Sequence, residues 1–150
     1  MSEALRTLAI GGVIVTITFG WLAVRTAQIP APTPERLVAE FRVVRLGALL
    51  LVLVAGAYLG FAAAAEARPG VGFDVVAALG FLVVAAVALT RDPREALTLL
   101  AVAFVAHAVL DIAHRPGLLP SGIAPRWYAV GGAAFDVCLG ALCYVPLIKR

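Results

Sequence analysis

Charged residues are scarce in this sequence. Asp, Glu, Lys and Arg make up 14% of its 150 residues, against about 25% in soluble domains, while apolar residues reach 63%. A soluble chain of this size could not bury so much apolar surface, and the mean hydropathy of +1.02 agrees. The sequence therefore predicts a lipid bilayer as the surroundings of the folded chain. This excludes cytosolic enzymes, nucleic-acid-binding domains and secreted disulfide-rich domains.

The sequence also has few cysteines and lacks the short motifs of common enzyme classes. Its two cysteines, Cys138 and Cys143, would point about 140° apart on a helix, so they cannot pair with each other. No Walker loop, Rossmann glycine pattern, GxSxG, HExxH or CxxC sequence occurs. The twelve Lys and Arg residues are scattered between apolar runs, so we expect no nucleic-acid partner.

Long apolar runs divide the chain into candidate membrane spans. Five of them approach the roughly 20 residues that a transmembrane helix needs. They cover residues of about 7–24, 46–65, 71–90, 95–114 and 126–148. We therefore predict an all-α polytopic membrane protein, with a single transmembrane domain over residues 1–150 that is a bundle of five helices. Four spans are the alternative, because Asp74 and His107 interrupt the third and fourth runs.

Two helix starts carry recognisable capping residues. Thr33 and Asp92 each precede a proline, and Glu95 follows Asp92 at the spacing of a capping box. Both residues are predicted to cap a helix with their side chains. The first turns of the second helix, which include Arg36 and Glu40, are predicted to form an amphipathic extension against lipid headgroups.

The distribution of cations predicts the orientation in the membrane. With five spans, the side of the C-terminus carries eight cations: Arg25, Arg36, Arg42, Arg45, Arg91, Arg94, Lys149 and Arg150. The side of the N-terminus carries four: Arg6, Arg68, Arg115 and Arg126. The positive-inside rule then places the C-terminus in the cytoplasm and the N-terminus outside. The alanine-rich, lysine-poor composition points to a bacterium, so the predicted location is a bacterial inner membrane.

Four ionisable side chains lie inside the predicted fourth and fifth helices: His107, Asp111, His114 and Asp136. A charged group at the centre of a membrane helix costs about 2.5–3.5 kcal/mol on insertion scales, so each of these needs a reason. The first three are spaced by four and then three residues, which places them on one helical face within about 60°. Asp136 lies at similar depth on the next, antiparallel helix. We therefore expect an intramembrane polar site near the outer face.

Imidazoles and carboxylates on one face are suitable ligands for a divalent metal such as zinc or iron. We accordingly predict His107, Asp111, His114 and Asp136 as metal ligands. Such a metal would activate water or oxygen against a lipid-like substrate, which favours a metal-dependent membrane enzyme. Asp74 lies toward the same side as this site, where we expect an ordinary interfacial residue.

Other interpretations stay open. A His–Asp pair between two helices is also a common structural hydrogen bond. The small size of the chain fits a non-catalytic subunit or assembly factor of a larger membrane complex, or a homo-oligomer. A chain of His and Asp side chains is also the usual proton relay of a proton-coupled transporter. Whether the protein is an enzyme is therefore undecided at this level.

Residues 103–145 resemble a family of small bacterial integral membrane proteins that have no assigned activity. The resemblance consists of His107, Asp111 and His114, which form H-x3-D-x2-H near the end of one helix, and of Asp136 in the last helix. Prolines in the loop between the two helices complete it. The resemblance implies that these four residues act together, and it implies no reaction.

Overall fold

The computed structural model describes residues 3–64, 71–114 and 124–148, which fold into five α-helices. They are α1 (Glu3–Gln28), α2 (Pro34–Ala64), α3 (Val71–Ala88), α4 (Pro93–Ala113) and α5 (Arg126–Ile148). Each is long and apolar enough to cross a membrane, and the described residues contain no strand. The predicted all-α fold with five membrane helices, and not four, is confirmed. The chain is thus a multi-pass membrane protein by its fold.

The helices differ from the predicted spans chiefly at their polar ends. α2 begins at Pro34, well before the predicted span 46–65, and its 31 residues extend about 46 Å. That length exceeds the roughly 30 Å of a bilayer's hydrocarbon core. α1 likewise continues beyond the predicted span 7–24 at both ends. The helices are longer than the predicted spans because hydropathy identifies only the apolar residues that lipid would surround. A helix itself continues until a proline or a polar turn ends it.

The two predicted caps behave differently. The backbone N–H of Arg36 donates to the Thr33 hydroxyl oxygen at 3.2 Å, so Thr33 caps α2 as predicted. The Asp92 side chain makes no capping hydrogen bond, so the predicted capping box at α4 is wrong. There the backbone alone starts the helix, since the Ala96 N–H donates to the Asp92 carbonyl at 2.9 Å. Proline at the first helical position already presets the backbone for the helix.

α2 contacts all four other helices, α4 packs against α2, α3 and α5, and α1 packs against α5 and α2. The core between them is aliphatic and aromatic and includes Phe19, Leu51, Leu97, Leu100, Phe104 and Leu139. α4 and α5 approach closely at Gly140, where an added Cβ would lie 3.1 Å from the Ala101 carbonyl oxygen. This close approach lets short side chains on α4 reach α5.

Two charged side chains near the start of α2 point into the bundle. Arg36 and Glu40 are buried, and the Arg36 Nε donates to Glu40 Oε1 at 2.7 Å. Arg36 also donates to the carbonyl oxygens of Thr26 at 2.6 Å and Ile29 at 3.0 Å, and to that of Pro146. These carbonyls end α1 and α5, where helices lack intrahelical donors and favour a cation. The predicted headgroup contact is therefore wrong for Arg36 and Glu40, because this guanidinium joins three helices.

Candidate metal centre

A buried polar centre lies between α2, α4 and α5. His107 Nδ1 lies 2.7 Å from Asp136 Oδ2 and 3.8 Å from Asp111 Oδ1. The Tyr58 hydroxyl donates a hydrogen bond to Asp111 Oδ1. All four side chains are buried, and Asp136 is fully so. We refer to His107, Asp111 and Asp136 as the His/Asp cluster.

The helix geometry explains why these groups meet. His107 and Asp111 are four residues apart on α4, so they lie one above the other on the face toward α5. Asp136 reaches them from the middle of α5. Gly132, one turn before Asp136, leaves room for the carboxylate of α4, since a Cβ there would lie 2.9 Å from Asp111 Oδ2. The absence of a side chain at Gly132 is therefore necessary for the geometry of the centre.

Aromatic rings from two further helices enclose the imidazole. The Phe81 ring of α3 meets His107 edge-on with ring centroids 4.8 Å apart. The Tyr58 ring of α2 meets it with centroids 5.5 Å apart. These contacts hold the imidazole in one orientation and exclude water from its sides. The hydrogen bond to Asp136 is consequently made in surroundings of low polarity, where it is strong and where an unpaired polar atom is costly.

Two carboxylate oxygens of the cluster lack hydrogen-bond partners. Within the three described ranges, no donor reaches Asp111 Oδ2 or Asp136 Oδ1, and both atoms are buried. The only cationic group that pairs with either carboxylate there is His107. With both carboxyl groups ionised, the cluster would keep a net negative charge even when the imidazole is protonated. Buried charge of this kind needs a cation or a proton to balance it.

His114 faces a different partner. Its Nε2 lies 2.8 Å from Asp74 Oδ1 on α3, and its Nδ1 lies 2.9 Å from the Leu110 carbonyl oxygen. A carbonyl only accepts, so Nδ1 carries a hydrogen. One further proton must then lie between Nε2 and the Asp74 carboxyl group, on whichever of the two holds it. The pair is thus electrically neutral as a unit, which suits its place within the membrane helices.

The structure brings three of the four predicted site residues together and places the fourth beside them. One ligand atom from each of His107, Asp111 and Asp136 lies within 4.8 Å of the others. His114 is outside this group and pairs with Asp74, which is buried although it was expected at the interface. Sequence reasoning missed Tyr58. Its one signal was a lone phenolic hydroxyl in an otherwise apolar span.

No protein-family model, curated protein or solved structure matches the chain. The donor atoms of the His/Asp cluster are therefore the main guide to its chemistry. One imidazole nitrogen and two carboxylates form a mixed nitrogen and oxygen set, which suits zinc or iron. The group could hold such an ion, since its ligand atoms lie within 4.8 Å of one another.

Proposed function

We propose that the protein is a metal-dependent membrane enzyme that acts on a lipid-like substrate, with zinc or iron bound by His107, Asp111 and Asp136. The observation that carries this proposal is the pair of buried oxygens, Asp111 Oδ2 and Asp136 Oδ1, that have no donor among the described residues. They belong to a group whose ligand atoms lie within 4.8 Å of one another. A divalent cation would satisfy both oxygens and balance the negative charge at once.

The surrounding residues have roles that follow from their contacts. Tyr58 holds Asp111 by its hydroxyl and thereby fixes the direction of the free carboxylate oxygen, as outer partners of metal ligands usually do. Three protein ligands leave a fourth position for water or substrate, which is the arrangement of catalytic zinc sites. A bound metal would supply a Lewis acid and an activated water there. Because the centre lies within membrane helices, a substrate that dissolves in the bilayer reaches it most directly.

The metal content of the purified protein tests this function. We expect about one zinc or iron ion per chain when the protein is extracted in mild detergent without chelator, as one three-ligand site requires. Elemental analysis by mass spectrometry measures it, after apo-protein has also been reconstituted with each metal. Absence of stoichiometric metal in both preparations would contradict the proposal and leave the cluster as a structural or proton-handling feature.

Gly132→Ala is expected to weaken metal binding. The new methyl group would lie 2.9 Å from Asp111 Oδ2, and Tyr58 restrains that carboxylate on its other oxygen. The carboxylate must therefore move away from the position in which it faces His107. Displacement of a metal ligand or its support typically costs roughly 10- to 100-fold in affinity. Competition titration against a fluorescent zinc or iron chelator measures it.

The adjacent glycine provides the matched control for this variant. Gly131 is exposed, and a Cβ there would meet no described atom within 4 Å. Gly131→Ala should therefore leave metal affinity unchanged while it adds the same methyl group to the same helix. Equal affinities for both variants and the wild type would mean that Asp111 does not bind the metal.

We place the enzyme in a bacterial inner membrane, with the C-terminus in the cytoplasm. The five apolar helices support a membrane location, and the excess of cations toward the C-terminal side supports the orientation. Of the eight cations on that side, Arg36 is buried against carbonyl groups and Glu40. The remaining seven still outnumber the four on the opposite side.

A proton-coupled transporter is the second candidate, and one observation favours it. His114 Nε2 lies 2.8 Å from Asp74 Oδ1 at the C-cap of α4, the helix that carries His107 and Asp111. Successive His–Asp pairs along a membrane helix are typical of proton relays. A carrier of this kind needs no bound metal. The metal content of the purified protein therefore separates the two candidates.

A further inference from the structure

An apolar groove runs along the outside of the bundle between α1, α2 and α5. Its volume is about 630 Å³, and its walls are almost entirely aliphatic and aromatic. α1 contributes Gly12 and Ile17, α2 contributes Leu53, and α5 contributes Trp127, Gly131 and Cys138. Ile17, Leu53 and Trp127 are each more than two-fifths exposed, so the groove opens sideways toward lipid.

The length of the groove matches one leaflet of a bilayer. Along α5 it extends from Trp127 to Cys138, which is about 16 Å at 1.5 Å per residue. Half of a hydrocarbon core about 30 Å thick is nearly the same distance. Tryptophan and tyrosine mark the level of the headgroups, and Trp127 and Tyr128 lie at the end of the groove where α5 begins. The groove therefore has the length and the apolar lining that fit one acyl chain of a lipid.

The groove and the His/Asp cluster share a wall. Gly132 lines the groove, and a Cβ on it would lie 2.9 Å from Asp111 Oδ2. Only the main chain of α5 thus separates the groove from this carboxylate. Tyr128 also lines the groove, and its ring meets that of Tyr58, the partner of Asp111, with centroids 6.3 Å apart. Gly132 lies about 7.5 Å along α5 from Trp127, which is below the headgroup level.

We propose that this groove binds one acyl chain of a phospholipid from the leaflet in which Trp127 lies, with the chain passing Gly132 beside the metal centre. This inference rests on the proposed function and names its substrate class as a long-chain lipid. The position of Gly132 below the headgroup level makes the upper part of the hydrocarbon chain, and not the headgroup, the portion of the lipid nearest to Asp111.

Photolabelling tests the proposal. The probe is a phosphatidylglycerol that carries a diazirine midway along one acyl chain, titrated into the wild-type protein in detergent and irradiated. We expect labelling that saturates and that maps by mass spectrometry to groove residues of α1 and α5. Gly131→Leu should abolish it, because Gly131 is exposed and lines the groove, so that the new side chain would fill space there, and a Cβ at this position meets no described atom within 4 Å. Gly11→Leu is the matched control, since Gly11 is equally open but lies outside the groove.

The outcomes separate this inference from the function on which it rests. Labelling that is spread over all lipid-facing helices, or that persists in Gly131→Leu, overturns the groove as a binding site. Metal content is measured on the same samples, and Gly131→Leu should retain its metal because no atom of the His/Asp cluster lies within 4 Å of a Cβ at this position. Saturable labelling of a metal-free wild type would leave the lipid site standing and remove the proposed enzyme.

Discussion

Replacing His107 with alanine is expected to reduce the metal content from about one ion per chain to background. His107 supplies the only nitrogen ligand of the His/Asp cluster and the only cationic partner of its carboxylates in the described ranges. His114→Ala, by contrast, should retain the metal, because His114 pairs with Asp74 and lies outside the cluster. Elemental analysis of the three proteins, purified in parallel, measures both effects.

Loss of the imidazole also removes packing, so a second variant keeps this test decisive. His107 is buried between Phe81 and Tyr58, and alanine would leave a cavity there. Asp136→Asn preserves the volume of the side chain but removes a negative charge and a strong ligand. It should lose the metal while circular dichroism and gel filtration match the wild type. Metal retained in both variants, or lost equally in His114→Ala, would contradict this assignment of ligands.

Arg36→Gln is expected to lower the free energy of unfolding by about 3 kcal/mol, the lower end of what breaking a buried ion pair costs. The substitution leaves the Glu40 carboxylate buried without its partner at 2.7 Å, and it removes the donors that satisfy the ends of α1 and α5. Arg94, whose Nε lies 4.0 Å from Glu40 Oε1, offsets part of the loss. Reversible unfolding in mixed micelles with increasing denaturing detergent measures the change.

A neighbouring arginine on the same helix is the control. Arg42 is exposed, so Arg42→Gln should change the free energy of unfolding by less than about 0.5 kcal/mol. Because both variants lose one positive charge from α2, a difference between them reports burial and not net charge. Similar stabilities for the two variants would mean that the guanidinium of Arg36 does not hold α1, α2 and α5 together.

The number and type of helices could be predicted from the sequence because hydropathy measures the property that selects membrane helices. Each apolar run approached or reached the roughly 20 residues that cross a bilayer, and capping residues and prolines marked several starts. Hydropathy could not predict in which direction the charged side chains at the helix ends point. Whether Arg36 points to headgroups or into the bundle depends on where the carbonyls of Thr26 and Pro146 lie, and those positions follow only from the packing of α1 and α5.

The candidate site likewise contains residues that the sequence could predict and residues that it could not. His107 and Asp111 share a face because of their spacing along one helix, and the depth of Asp136 on the next helix made a contact expected. Tyr58 and Asp74 come from α2 and α3. Because these helices are apolar on all sides, their sequences do not show which face turns toward α4. For the same reason the sequence grouped His114 with the cluster, although it turns toward α3.

α5 supplies a partner to two of the buried polar groups in the described part of the bundle, and this bears on biogenesis. Asp136 of α5 partners His107, and the Pro146 carbonyl of α5 accepts from Arg36, which lies about 33 Å along α2 from Tyr58. Until α5 has left the translocon, His107 lacks its carboxylate partner, and Arg36, toward the other end of α2, lacks one of its carbonyl partners. A chain truncated before α5 would therefore expose unsatisfied polar groups within the bilayer, a signature that membrane proteases and chaperones can recognise. Insertion of α5 thus supplies the missing partners of both groups.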